Sequence, residues 1–123
     1  MIDDVSTHAT DYPTTVRFYD AVLGALGYAP HAEMEVPNGR MAAYGPEGQY
    51  FFRVIEVQEA AIPCHVVFVA PDRAAVDRFH RVGLEAGGTD NGAPRERPQV
   101  HPGYYGAFLH DPDGNNVEAM VHR

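Results

Sequence analysis

Shifted by 61 positions, the opening of this chain repeats itself. Val5 meets Val66, Ala9 meets Ala70, Asp11 meets Asp72 and Arg17 meets Arg78. Phe18, Leu23, Ala25 and Gly27 meet Phe79, Leu84, Ala86 and Gly88. The eight identities lie between positions 4 and 27 without a gap, where chance at ordinary residue frequencies gives roughly one or two. Such a repeat predicts two copies of one supersecondary unit, each too small to bury its own sheet face.

Each copy reads as a strand, a helix and further strands. In the first, Ile2 to Ala9 is a strand, Asp11 a helix N-cap and Pro13 a first-turn residue. Val16, Tyr19, Val22, Leu23 and Leu26 recur at helical spacing and Gly27 stops the helix. Strands are expected near Tyr28–Val36, Arg40–Tyr44 and Tyr50–Val57, with Pro37-Asn38-Gly39 and Gly45-Pro46-Glu47-Gly48 as turns. In the second copy Cys64 to Ala70 is an apolar strand, Asp72 an N-cap, and Ala75, Phe79, Val82 and Ala86 a helical stripe. A strand is expected within the loop from Gly88 to Pro102, without a sharp place. Asp-Gly within Asp111-Pro112-Asp113-Gly114-Asn115-Asn116 turns a hairpin between Tyr104–Leu109 and Asn116–Val121.

The expected fold class is therefore α+β. Two βαβββ modules, 1–60 and 63–123, form one domain over 1–123, a cup-shaped half-open β-sheet with helices on the outside. A concave surface between the modules suits a small-molecule site. On the last strand Val117, Ala119 and Val121 share one face, while Asn116, Glu118, Met120 and His122 share the other. A carboxylate in mid-strand means either that this face is simply wet or that Glu118 lines the cup and holds a metal.

Several function classes are argued against. The net charge is −8 and no basic patch is clustered, which disfavours nucleic acid and anionic membrane surfaces. The single cysteine, Cys64, leaves no internal disulfide and fits a reducing compartment; alternation turns it away from His65, and it is expected in the core. Met1-Ile2-Asp3-Asp4 has no basic flank or apolar run. The expectation is a soluble cytoplasmic protein.

The chain resembles the vicinal oxygen chelate superfamily, which includes glyoxalase I, extradiol dioxygenases and the fosfomycin- and bleomycin-resistance proteins. The resemblance runs over essentially its whole length. It is carried by Ile2-Asp3-Asp4-Val5, by Phe18-Tyr19-Asp20-Ala21-Val22-Leu23 and Leu26-Gly27-Tyr28, by His65-Val66-Val67-Phe68, and by the ending Asp111-Pro112-Asp113-Gly114-Asn115-Asn116-Val117-Glu118. The resemblance implies up to four metal-ligand positions, on the opening and last strands of each module. They fall on Asp4, His65 and Glu118, with a fourth on Phe52 when Pro46 is aligned with Pro112 at a shift of 66.

Two departures follow. Asp4 stands where the family usually has His, and Phe52 is no ligand. One imidazole and two carboxylates still suit Mn²⁺, Fe²⁺ or Mg²⁺, with Zn²⁺ as a further candidate; the set equally describes a site that has lost its metal. The resemblance thus implies either a metal-dependent lyase, isomerase or dioxygenase acting on a small oxygenated substrate, or a metal-free binding protein of the bleomycin-resistance type. The missing carboxylate at Phe52 argues against glyoxalase I activity proper, and no catalytic residue is assigned. His8, Phe52, His101, Tyr104 and Tyr105 are candidate ligand contacts. Arg95 and Arg97 are candidates for holding a substrate carboxylate or phosphate. By resemblance the chain is expected to form a homodimer.

Overall fold

The computed structural model describes residues 1–123. The elements follow the expected order twice. The first module contains β1 (Val5–Ala9), α1 (Tyr12–Ala25), β2 (Ala32–Val36), β3 (Gly39–Tyr44) and β4 (Phe52–Glu56). The second contains β5 (His65–Val69), α2 (Arg73–Glu85), β6 (Thr89–Glu96), β7 (Tyr105–His110) and β8 (Asn116–Val121). Both helices begin as the sequence dictates. Asp11 accepts from Thr14 N at 3.3 Å and Asp72 from Ala75 N at 2.8 Å, so each carboxylate satisfies a helix-end donor.

Each module forms one open four-stranded sheet, ordered β1-β4-β3-β2 and β5-β8-β7-β6. The first strand of a module runs parallel to its last, and the other pairings are antiparallel. One face of each sheet is covered by its own helix, and the two helices touch. The covered faces merge into a single core. Phe52 meets Phe68 edge-on at 5.1 Å across the module boundary, and Phe52 also packs on Tyr19 at 5.0 Å.

The closing hairpin pins the modules together. Asp111 is buried, and its Oδ2 accepts the Tyr19 hydroxyl at 2.6 Å and Asn115 Nδ2 at 2.8 Å. Its Oδ1 takes the backbone N–H groups of Asp113 and Asn115. Burial and the adjacent Asp111 push the Tyr19 phenol well above the ordinary tyrosine range. Asp113 reaches back to the first module, accepting from Thr10 N and Thr10 Oγ1. The turn residues thus serve the fold as well as the hairpin. Cys64 is exposed rather than in the core. It precedes β5 and lines a crevice of 140 Å³ between the modules, with Ser6, His8 and Asn115.

No helix is long and apolar enough to cross a membrane.

Candidate functional site

The face of each sheet turned away from its helix is open, and the ladders say which residues it carries. On β5 and β8 Val67 stands beside Glu118, and Phe108 on β7 stands on its other side. These side chains therefore share one face. Val67 and Val69 are 45% and 65% exposed there, so an apolar surface surrounds the acid.

Glu118 itself is only 3% exposed. One carboxylate oxygen accepts the Tyr104 hydroxyl, and the other lies 3.2 Å from His65 Nε2. A carboxylate only accepts, so His65 presents its N–H at Nε2, on a half-exposed side chain whose Nδ1 makes no hydrogen bond within the chain. Burial, and then the bond to Glu118, push the Tyr104 phenol up to about 12. It is a proton donor across the neutral range.

Arg97 closes one side. It is 8% exposed, donates from Nε to Gly106 O at 3.1 Å and from Nη2 to Ala93 O at 2.9 Å, and lies 4.7 Å over the Phe108 ring. Burial, and then the nearby Arg95, lower its pKa from the ordinary arginine value, while Glu118 and Tyr104 act the other way. The chain just after β6 is thus tied down at this residue. Arg95 is exposed and donates only to Glu96 O. His101 lies edge-on to Tyr104 at 5.3 Å, bonds Pro102 O through Nδ1 and meets His122 Nδ1 at 3.0 Å through Nε2.

The other candidates lie elsewhere. Tyr105 is one residue out of phase with Tyr104 and faces α2, donating to Asp77 at 2.6 Å beneath the Arg73 guanidinium. His8 stands beside Ile55 on the open face of the first module. Phe52 is 1% exposed and faces the shared core, not the cup. The reason is register. Ser6 pairs with Arg53 as Val67 pairs with Glu118, so the last strands are related by 65 positions rather than 66. The turn bonds agree: Gln49 N donates to Pro46 O where Gly114 N donates to Asp111 O. The first-module counterpart of Glu118 is therefore Arg53, and a slip of one residue had exchanged the faces.

Asp4, the counterpart of His65, lies 3.6 Å from Arg53 Nη2. Each module thus carries an acid–base pair at equivalent places, with the signs exchanged. Sequence reasoning missed Arg53. The signal was the apolar–polar–apolar alternation Phe52-Arg53-Val54, which the structure shows as buried, partly exposed, buried.

The donor set tests the metal reading. His65 and Glu118 offer two adjacent ligands, but no group of three His, Cys, Asp or Glu side chains is placed to hold a metal ion. An arginine at the fourth position opposes a cation. The residues of a single chain do not fit the three-ligand site.

No protein-family model matches the chain. No curated protein matches it. Solved structures do. A glyoxalase/bleomycin resistance protein from Albidiferax ferrireducens T118 superposes with TM-score 0.80 at 27% identity, covering 97% of this chain and 96% of that one. A glyoxalase/bleomycin resistance protein/dioxygenase family enzyme from Burkholderia phytofirmans PsJN gives 0.72 at 20% identity, covering 99% and 98%. A lactoylglutathione lyase from Agrobacterium tumefaciens gives 0.68 at 21% identity, covering 98% and 92%. The fold is that of the glyoxalase/bleomycin resistance/dioxygenase proteins, matching the vicinal oxygen chelate superfamily.

Proposed function

We propose that this chain binds a small oxygenated molecule on the open sheet faces without using a metal, as a sequestration protein of the bleomycin-resistance type. One observation carries the reading. At the position equivalent to Glu118 the first module has Arg53, and Asp4, the expected third ligand, is engaged with that arginine. What remains is a surface with an apolar floor and fixed polar groups, which is the composition of a ligand site. The Tyr104 hydroxyl oxygen, whose proton goes to Glu118, and the Nδ1 edge of His65 offer two acceptors beside Val67, Val69 and Phe108.

A homodimer is part of the proposal. Val67 and Val69 leave a sheet face uncovered, and a second copy carries apolar surface and exchanged charge to cover it. A second reading stays open on one observation, the meeting of His65 and Glu118 on an accessible face. There a lyase, isomerase or dioxygenase would use Mn, Fe, Zn or Mg, with Asp4 supplied by the other copy.

The test has two arms. Thermal shift is measured with a panel of diols, hydroxy acids and catechols, each with and without EDTA. Equal stabilisation in both conditions is expected, and failure of every probe overturns the binding reading. Protein equilibrated with each divalent ion is then assayed for retained metal. Stoichiometric metal that disappears in His65→Ala would replace this reading with the enzymatic one.

A further inference from the structure

The Arg53 side chain is poorly served by its own protein. Its Nε–H is buried and has no acceptor. Its only ionic partner, Asp4, stands 3.6 Å from Nη2, longer than a charge-assisted hydrogen bond. By contrast Arg40, on the neighbouring strand β3, grips Glu56 through both Nε and Nη2, at 3.2 and 3.0 Å. Most buried N–H groups are satisfied, so an orphan asks for an explanation. The Arg53 guanidinium also borders a shallow groove of 420 Å³ lined by Asp3, Gln49, Tyr50 and Phe51. Tyr50 is half exposed there and turns apolar surface to solvent.

We propose that Arg53 is the specificity-determining residue of this face, and that it anchors an oxyanion, a carboxylate or phosphate monoester, on a flat apolar body lying in the groove. The two Nη groups of the guanidinium, on a side chain that is partly exposed, fit two oxygens of either group. The ligand thereby gives the guanidinium the close charged partner that Asp4, at 3.6 Å from Nη2, does not provide, and displaces that loose contact. The first module is thus an anion seat built at the place where the resemblance leads one to expect a cation seat. This inference rests on the proposal that the open faces bind a ligand, and it adds the ligand's chemical class.

The experiment is calorimetric titration of the full chain with phenyl phosphate, benzoate, inorganic phosphate and neutral benzyl alcohol. Phenyl phosphate or benzoate is expected to bind better than benzyl alcohol, and inorganic phosphate reports what the anion contributes without an apolar body. Arg53→Gln is expected to weaken the best anion by about tenfold or more, and Arg53→Lys by less. Asp4→Asn, which frees the guanidinium, is expected to tighten it. Circular dichroism confirms that each variant is folded. Unchanged anion affinity in folded Arg53→Gln, binding of benzyl alcohol as tight as that of the anions, or no anion binding at all would overturn the inference. If neutral oxygenated probes still stabilise the protein in those cases, the binding reading survives alone.

Discussion

Arg53 holds in the first module the position that Glu118 holds in the second, and each is paired with the residue that opens its own module. The pairs, Asp4 with Arg53 and His65 with Glu118, are 3.6 and 3.2 Å apart. The duplication kept the cross-strand contact and exchanged the side on which the negative charge sits. An arginine and a tyrosine are likewise interchanged at a second place. Arg40 lies over Tyr12 at the start of α1, and Arg73, at the start of α2, lies over Tyr105.

The Tyr104 phenol is raised to about 12 by burial and by Glu118. The folded protein keeps that proton where the unfolded chain has lost it. Its contribution to stability is complete below about pH 10 and falls as pH rises towards about 12. Denaturant titrations across that window should show Tyr104→Phe losing less stability than the parent. A parallel fall in both proteins would contradict this.

Asp111→Ala should cost roughly 3–4 kcal/mol, because the buried Tyr19 hydroxyl and Asn115 amide lose their acceptor at about 1–3 kcal/mol each. Asp113→Ala removes only exposed contacts to Thr10 and should cost about 1 kcal/mol or less. Urea midpoints rank the two, and equal midpoints would refute the ranking.

Two helical glycines should respond in opposite directions. A Cβ on Gly83 would lie 2.2 Å from Leu109 Cδ1 and 2.9 Å from Val22 Cγ1, and both side chains are fully buried. Gly83→Ala should lower stability, since overpacking of about 1–3 kcal/mol exceeds the helix gain of about 1 kcal/mol. A Cβ on Gly24 meets nothing within 4 Å, so Gly24→Ala should raise the melting temperature. Differential scanning calorimetry decides both.

Val69, at 65% exposure on the uncovered face, tests the dimer. Light scattering should give the mass of two chains for the parent and of one chain for Val69→Asp. A monomeric parent would remove the dimer from the proposal.

The duplication, the helix caps at Asp11 and Asp72 and the closing hairpin were legible because each depends on local chemistry. Strand register was not. The similar turns suggested matching Pro46 with Pro112, but the ladder of β1 on β4 fixes which face a side chain takes, and it puts Arg53 in the cup and Phe52 in the core. β6 stayed hidden because Gly92 and Pro94 interrupt its pattern, an interruption that an edge strand with shifted register tolerates. The bond between His101 and His122 joins a loop to a strand end and had no signature in spacing.

The meeting of Phe52 and Phe68 means that neither half of this chain is a finished object. Cut between residues 62 and 63, each fragment would bare the aromatic wall that the other half seals. The pieces should stay largely unstructured apart and recover order when mixed, so that the ancient duplication could be run backwards in a test tube as fragment complementation.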